Sequence, residues 1–212
     1  MHEIRELLKP EVLVPMVGLL GIVAIVFAET GLLVGFFLPG DSLLVTAGIF
    51  CTPFNPLGKA VLNAPLLIVL TSIAAIIGDT VGYWIGKKAG RKIFSREDSF
   101  LFHRKHLLTS QRFYEKHGGK TIVMARFMPI VRTFAPVVAG VGNMDYKRFL
   151  SFNIGGGIGW VVSMVMAGYV LANIAPGVTK HIELLALVII FLSLLPAIVG
   201  YLKNRATRPA TS

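Results

Sequence analysis

The sequence predicts an all-α protein that crosses a membrane several times. Hydrophobic residues make up 54% of the 212 positions, charged residues only 15%, and the mean hydropathy is +0.71. A soluble domain is about 25% charged, so this chain is too apolar for that class. A membrane-spanning helix needs roughly 20 mostly apolar residues, and several charge-free runs approach or exceed that length, at 12–28, 42–58, 60–78, 149–179 and 184–202.

The formal net charge of +10 lies mostly beside these apolar runs. Ten of the 21 lysines and arginines fall between Lys87 and Lys120, and a smaller basic group at 203–208 follows the last run. Positive residues next to transmembrane helices favour the cytoplasmic side of the membrane. We therefore expect a cytoplasmic connection at 87–120 and a cytoplasmic C-terminus, and we expect no nucleic-acid partner.

The chain begins with a short surface helix, followed by a membrane span. Residues 1–9 carry their isoleucine and leucines on one side of a helix, which predicts an amphipathic helix at the membrane surface. Pro10 is expected to end it, because proline lacks a backbone N–H and clashes with the preceding turn. The apolar run at 12–28 then enters the membrane.

Residues 28–50 are apolar but do not suit one straight helix. Gly31, Gly35 and the Pro39-Gly40 pair interrupt the segment through lost hydrogen bonds and extra backbone freedom. Unsatisfied peptide groups cost several kcal/mol in hydrocarbon, so an interrupted segment at that depth must be covered by protein or water. We interpret it as a re-entrant helical hairpin with Pro39 and Gly40 as helix breakers.

A second interrupted segment covers residues 121–142. Prolines and glycines lie among its apolar residues, and we expect Pro129 and Pro136 to break the helix. We interpret this segment as a second re-entrant hairpin, which turns back within the membrane like the first.

Two interrupted segments, one in each part of the chain, are the sequence pattern of inverted repeats. In such proteins the broken helices of the two repeats meet at a central binding site. The chain is then one membrane-embedded domain, 1–212, whose two opposed hairpins belong to halves at about 1–100 and 101–212.

Further spans are predicted at 64–86, 149–172 and 182–202, with residues 173–181 outside the cell. In the first of them, glycines recur at every fourth position and give a flat face for close helix packing. The glycine-rich run at 155–159 suits close helix contact as well. These stripes would also permit a homodimer. The glycines of the first stripe are Gly78, Gly82, Gly86 and Gly90.

Two carboxylates lie in the first interrupted segment. A charge at bilayer depth costs about 2.5 kcal/mol or more, so Glu29 and Asp41 must be protonated, paired or in contact with water. Such residues mark ion or substrate paths, and we predict that both couple transport to protons. The alternatives are that they mark hairpin ends at the headgroups, or that Asp41 caps the helix after Pro39-Gly40.

Arg126 and Arg132 lie in the second interrupted segment, on either side of Pro129. A continuous helix would place them on different faces, whereas a broken helix can direct both toward one cavity. Guanidinium groups bind phosphate through paired hydrogen bonds, so we predict that both arginines bind a phosphate-bearing substrate. The alternatives are that they extend to the interface or form purely structural ion pairs with Glu29 and Asp41.

Asp79 and Tyr83 are further candidates for this polar site. They lie one turn apart in the predicted span at 64–86. Either they support the site, or they accept bonds from a neighbouring helix.

The sequence offers little for catalysis or metal binding. Cys51 is the only cysteine, which excludes an intrachain disulfide and a thiolate metal site. No acid or cysteine completes a metal set with His103 and His106. The segment 118–121 lacks the earlier glycine of a phosphate-binding loop, because Tyr114 takes that place. We therefore predict no catalytic residue, no metal and no cofactor.

Three stretches of the chain resemble the bacterial DedA family, part of the VTT-domain superfamily. The family's two acidic positions fall on Glu29 and Asp41, and its two arginines fall on Arg126 and Arg132. The resemblance implies an inner-membrane protein with two opposed re-entrant hairpins, related to eukaryotic lipid scramblases of autophagy. The stretches are FAETGLLVGFFLPGDSLLVTAG at 27–48, GDTVGYWIGKKAG at 78–90 and FYEKHGGKTIVMARFMPIVRTFAPVVAGVGNMDYKRF at 113–149.

The resemblance also implies a function, since members of the family are tied to undecaprenyl phosphate recycling and to proton-motive force. The expected activity is transport, as a flippase, of a phosphate-bearing lipid carrier such as undecaprenyl phosphate, with coupling to protons. Two other classes remain open. One is a proton-coupled antiporter of small cations or drugs, and the other is a membrane scaffold that transports nothing.

Overall fold

The computed structural model describes residues 10–32, 40–55, 57–94, 120–126 and 129–177. These residues form helices joined by turns, without a strand, so the described part of the chain is all-α as predicted. The helices are α1 (Pro10–Gly31), α2 (Gly40–Phe50), α3 (Ala64–Phe94), α4 (Lys120–Ala125), α5 (Pro129–Val141) and α6 (Tyr146–Ile174). The predicted surface helix at 1–9, the connection from 95 to 119 and the span at 182–202 lie outside the described residues.

Two of the described helices, α3 and α6, are long and apolar enough to cross a membrane. Their apolar parts are Ala64–Ala89, with 26 residues, and Tyr146–Ile174, with 29 residues. They include the first two of the three further spans that the sequence predicts. Helix α3 continues to Phe94, so the predicted connection at 87–120 begins as a helix.

The outer faces of both long helices are apolar. On α3, Leu66, Val69, Ile73 and Ile77 are each about half exposed, and their spacing places them on one face. On α6, Ile158 and other large apolar residues are exposed in the same way. Soluble monomers rarely leave contiguous apolar faces of this kind uncovered, whereas a lipid-facing helix requires them.

The first helix is kinked, and the second is short. Gly18 interrupts α1 with φ +58 and ψ −166, a backbone conformation that glycine adopts without the steric cost of a side chain. The charge-free run at 42–58 is not helical throughout, because α2 ends at Phe50 and turns follow at 51–55.

Both interrupted segments are broken where the sequence carries helix-breaking residues. Helix α1 ends at Gly31 and α2 begins at Gly40, while Pro39 lies outside the described residues. In the second segment α4 ends at Ala125 and α5 begins at Pro129. Proline suits the first position of a helix, because its missing N–H has no partner there in any case.

Pro136 differs from the prediction, since it does not break the helix. It lies inside α5, which continues to Val141. Pro136 is buried and lies beside Gly82 of α3. A Cβ added to Gly82 would lie 3.5 Å from the Pro136 Cβ, in van der Waals contact. Neighbouring protein thus covers the weakened backbone, which is the condition under which membrane helices tolerate proline.

The short helix of the first half packs closely on the long helix of the second. Helix α2 lies on α6, with one glycine from each helix at the crossing. A side chain at Gly48 would overlap the Val165 carbonyl, and a side chain at Gly168 would overlap the Val45 carbonyl. The two backbones therefore touch directly, as in membrane helix pairs built on small residues.

Helices α5 and α3 cross in the same manner. A side chain at Gly86 would overlap the Val137 carbonyl, and one at Gly140 would overlap the Tyr83 carbonyl. Each half thus contributes one short helix to the other half and receives one in return. The predicted use of the glycine stripe in close helix contact is confirmed at Gly86.

Candidate functional site

Five charged side chains are buried together where the broken helices meet the long ones. Each of these residues is at most 9% exposed, although its charge would be strongly solvated in water. Four of them, all except Asp41, line a small cavity together with Thr30, Thr133 and Trp160. The five residues are Glu29, Asp41, Asp79, Arg126 and Arg132.

The breaks in the helices position these charges. Glu29 lies in the last turn of α1 and Asp41 in the first turn of α2, so the first break brings two carboxylates to one place. Arg126 directly follows α4, and Arg132 lies in the first turn of α5. Both arginines are among the residues that line the cavity, as the break between α4 and α5 allows.

Arg132 is held by both carboxylates of the first interrupted segment. Its Nη1 donates to Asp41 Oδ1 and its Nη2 donates to Glu29 Oε1. The guanidinium therefore uses its two forked ends on two acids from different helices. Asp41 accepts a further bond from Trp160 Nε1 at 2.8 Å, and the Trp160 ring lies over the guanidinium at 4.8 Å from Cζ to centroid.

Arg126 has a different set of partners. Its Nη2 donates to Asp79 Oδ2 and to Asn153 Oδ1. The Asn153 amide in turn donates to the Ile76 carbonyl at 3.0 Å, which ties α6 to α3 beside the ion pair. Asp79 thus pairs with Arg126 and is one of the residues that line the cavity.

Glycines of α6 make room for the Arg126 side chain. A Cβ at Gly156 would lie 3.1 Å from Arg126 Cδ, and one at Gly157 would lie 3.3 Å from Arg126 Nη2. The glycine-rich run that the sequence analysis assigned to helix contact thus also borders an ion pair. A larger side chain at either position would displace the guanidinium.

The buried charges are divided between the two halves of the chain. The three acids come from the first half, and both arginines come from the second. Every ion pair at the site therefore joins one half to the other. With all five groups ionised, three carboxylates face two guanidiniums and leave one excess negative charge.

Some polar atoms at the site have no hydrogen-bond partner among the described residues. They are Glu29 Oε2, Arg126 Nε and Arg132 Nε. The Glu29 carboxylate lies against Gly40, where a side chain would overlap it. The cavity measures about 10 Å³, close to the smallest space that holds one water molecule, so it is too small for a phosphate group.

Tyr83, predicted as a support of the polar site, lies in another cluster. Its hydroxyl donates to the Met144 carbonyl, and its ring stacks on Phe149 at 4.7 Å between centroids. Trp84 and Tyr146 complete this aromatic cluster beside Lys87. Tyr83 therefore joins α3 to the start of α6 and does not line the charged cavity.

Asp41 and Asp145 show which carboxylate caps a helix. The Asp145 side chain accepts the Arg148 N–H at 2.9 Å at the start of α6 and is exposed. Asp41 instead receives bonds from two side chains of the second half. The alternative that Asp41 serves mainly as a cap therefore loses support.

Sequence reasoning missed Asn153 and Trp160. Both lie on the buried face of α6 together with Gly156 and Gly157. A polar amide within an apolar span was the signal that could have identified Asn153. Trp160 carried no such signal, because an aromatic residue in a membrane helix usually packs against apolar neighbours.

The fold and the site together define a class, a helical membrane protein with a polar site between two halves. The family description of the VTT domain matches residues 38–170. Protein DedA of Escherichia coli (strain K12) is 47% identical over 181 residues, which cover 85% of this chain and 80% of that protein. The chain therefore belongs to the DedA family of VTT-domain membrane proteins.

Other relatives are named as membrane proteins as well. An uncharacterized membrane protein of Mycobacterium tuberculosis (strain ATCC 25618 / H37Rv) is 45% identical over 85% of this chain and 77% of its own length. The inner membrane protein YqjA of Escherichia coli (strain K12) is 34% identical over 74% of this chain and 70% of its own length. No solved structure matches the chain.

Proposed function

We propose that this protein is a flippase that moves a phosphate-bearing lipid carrier, such as undecaprenyl phosphate, across the bacterial inner membrane with coupling to protons. The observation that supports it most is the buried Arg132, held between Glu29 and Asp41 of the other half. A guanidinium fork at bilayer depth is suited to phosphate, and here two carboxylates occupy it.

Binding of phosphate would replace one kind of anion by another. The cavity is too small for a phosphate group while Arg132 is paired, so the carboxylates must move away before the substrate enters. A displaced carboxylate at this depth is costly unless it takes up a proton. Substrate entry and protonation of Glu29 or Asp41 are therefore coupled in this proposal.

The excess negative charge supports the same coupling. Three buried acids face two arginines, and Glu29 Oε2 has no partner among the described residues. A phosphate added to this set increases the negative charge further, which uptake of protons offsets. The lipid phosphate and protons would thus enter the site together.

All three ion pairs cross between the halves. In this proposal their opening and closing lets one half shift against the other, while the glycine crossings keep the halves in contact. In this proposal the two broken segments are opposed re-entrant hairpins of an inverted repeat. The connection at 87–120 and the C-terminus lie in the cytoplasm, consistent with the basic residues there.

The same excess of carboxylates favours one second candidate. A proton-coupled antiporter of small cations or drugs would use Glu29 and Asp41 to bind the cation, with the arginines only holding the hairpins. A small cation or drug that competes with protons, whether or not a phosphate lipid is present, would distinguish this candidate from the flippase.

The test is transport in liposomes that carry labelled undecaprenyl phosphate in one leaflet. Wild type, Glu29→Gln and Arg132→Ala are compared with and without a pH gradient, and folding of each is checked by size-exclusion chromatography. We expect movement in wild type that responds to the gradient, loss of movement in Arg132→Ala, and slower movement without gradient dependence in Glu29→Gln. No movement above protein-free liposomes would contradict the flippase and favour the antiporter or a scaffold.

A further inference from the structure

Trp160 is the one aromatic side chain that lines the charged cavity among the described residues. It is 1% exposed, and its indole N–H donates to Asp41 Oδ1 at 2.8 Å. Its ring covers the Arg132 guanidinium at 4.8 Å from Cζ to centroid. The residue therefore contacts both members of one buried ion pair.

Two donors converge on a single oxygen at this point. Arg132 Nη1 and Trp160 Nε1 both donate to Asp41 Oδ1, and both donors come from the second half of the chain. An indole nitrogen only donates, and it retains this capacity at every pH. Whatever oxygen occupies this position thus accepts one charged and one neutral hydrogen bond.

We infer that Trp160 is a substrate-binding residue, whose indole N–H and Arg132 Nη1 together hold one phosphate oxygen where Asp41 Oδ1 now lies. The inference rests on the proposed function and adds a third side chain to it. When Asp41 takes up a proton and withdraws, both donors would lose their acceptor, and a phosphate oxygen restores both bonds.

The ring of Trp160 has a separate role in the same subsite. Stacked on the guanidinium, it supports the positive charge through the electron-rich face and restricts the directions in which the fork points. A phenylalanine at this position keeps the stacking and loses the donor. The two contributions can therefore be separated by substitution.

The first experiment measures binding of labelled undecaprenyl phosphate to the protein in nanodiscs. In the wild-type protein the Trp160 N–H bonds to Asp41 without lipid and to phosphate with lipid. Removing the N–H therefore weakens both states, and its effect on the binding affinity partly cancels. In Asp41→Asn a neutral amide competes less for the donor, and we expect Trp160→Phe to weaken binding by about tenfold in that background. Trp84→Phe, the same change at a half-exposed position outside the cavity, is the matched control and leaves binding unchanged.

The second experiment observes the indole directly. The chain has 2 tryptophans, so Trp84→Phe leaves Trp160 as the sole tryptophan, whose emission is selected by exciting tryptophan and not tyrosine. We expect undecaprenyl phosphate to shift its emission and the uncharged polyprenol to leave it unchanged. Inorganic phosphate in the buffer forms a separate arm, because the subsite recognises phosphate oxygen from either source. Trp160→Phe, which retains Trp84, should show no shift.

The outcomes separate this inference from the proposed function. If wild type binds neither the phosphate lipid nor inorganic phosphate, both are wrong. If the lipid binds and requires Arg132, yet the Trp160 emission does not change and Trp160→Phe does not weaken binding in the Asp41→Asn background, the function stands and the role of Trp160 is overturned. A shift with inorganic phosphate but not with the lipid would support the subsite and contradict lipid transport.

Discussion

At the level of single residues, the two buried arginines differ in what surrounds them. Arg132 is shared by two acids, one of which, Glu29, has a second oxygen without a partner among the described residues, whereas Arg126 is matched by one acid, Asp79, and by the Asn153 amide. The first set has one carboxylate in excess and the second is balanced. We therefore expect Arg132 to exchange its carboxylate partners for substrate, and Arg126 to keep its ion pair with Asp79 while this happens.

Arg132→Lys tests whether the fork itself is needed. Lysine keeps the positive charge but presents one compact ammonium, which cannot reproduce the two-ended contact with Glu29 and Asp41. We expect lipid transport to fall by about tenfold or more while the protein still folds. Arg148→Lys, the same change at an exposed position, is the control and should transport normally. Full activity in Arg132→Lys would show that charge alone is sufficient.

Asp79→Asn tests the structural role of the second pair. Removing one partner of a buried ion pair leaves an uncompensated charge, at a cost of about 3–5 kcal/mol. We expect a clear fall in melting temperature, and a recovery of most of it when Arg126→Gln is added. Asp145→Asn at the exposed cap of α6 is the control, because asparagine caps a helix about as well as aspartate. Equal melting temperatures of Asp79→Asn and Asp145→Asn would contradict the structural role assigned to Asp79.

At the level of elements, the two glycine crossings fix how the halves meet. One helix of each crossing is short and one is long, and both crossings place a glycine against a backbone carbonyl of the partner helix. Contact between backbones leaves no side chain that could adjust. In the proposed mechanism the crossings therefore act as fixed points around which the ion pairs open and close.

Gly168→Ala tests this rigidity. Its new methyl group would overlap the Val45 carbonyl of α2, and we expect a loss of about 1–3 kcal/mol in stability, measured by denaturant titration in detergent. Gly155→Ala lies in the same helix with no atom within 4 Å of the added carbon. That control should be neutral or up to about 1 kcal/mol more stable, because alanine favours a helix over glycine. Similar losses of stability in Gly168→Ala and Gly155→Ala would show that α2 and α6 do not pack closely at this crossing.

The sequence predicted the breaks and the charges for physical reasons that act locally. Glycine and proline limit helices wherever they lie, and a charge in an apolar run is conspicuous in any fold, so Glu29, Asp41, Arg126 and Arg132 could be found in advance. Ion pairs of the arginines with Glu29 and Asp41 were raised as an alternative, but which arginine meets which acid could not be found, because that depends on which helices cross. The use of Asp79 by Arg126 is one result of those crossings.

Two misjudged residues show the same limit. Pro136 was expected to break α5 because proline usually does, and only its burial against Gly82 in another helix explains why the helix continues. Trp160 was passed over because an apolar aromatic residue carries no sign of a polar partner. Tertiary contacts decided both outcomes, and no local pattern in the chain encodes them.

At the level of the whole molecule, α6 has a second face built from small residues. Ser151, Gly155, Gly159, Ser163 and Ala167 recur at every fourth position and are exposed among the described residues. Such a face suits close approach of another helix. The homodimer that the sequence analysis allows stays a prediction, and this face is where we expect it.

Cysteine cross-linking tests that prediction. Cys51→Ser first removes the single native thiol, and Ser163→Cys then places one thiol on the small face. We expect a disulfide-linked dimer in membranes under mild oxidation, with Ile174→Cys, exposed near the end of α6, as the control that cross-links less. If the Ser163→Cys variant stays monomeric, a dimer through this face is contradicted.

The division of charge between the halves also has a consequence for biogenesis. The first half contains three carboxylates destined for burial and, among the described residues, no buried cation to match them. Before the second half is synthesised, each ionised carboxylate adds about 2.5 kcal/mol or more to the cost of insertion. The nascent first half would therefore stay partly inserted or protonated until Arg126 and Arg132 arrive, and a chain truncated near residue 100 would be a substrate for membrane quality control.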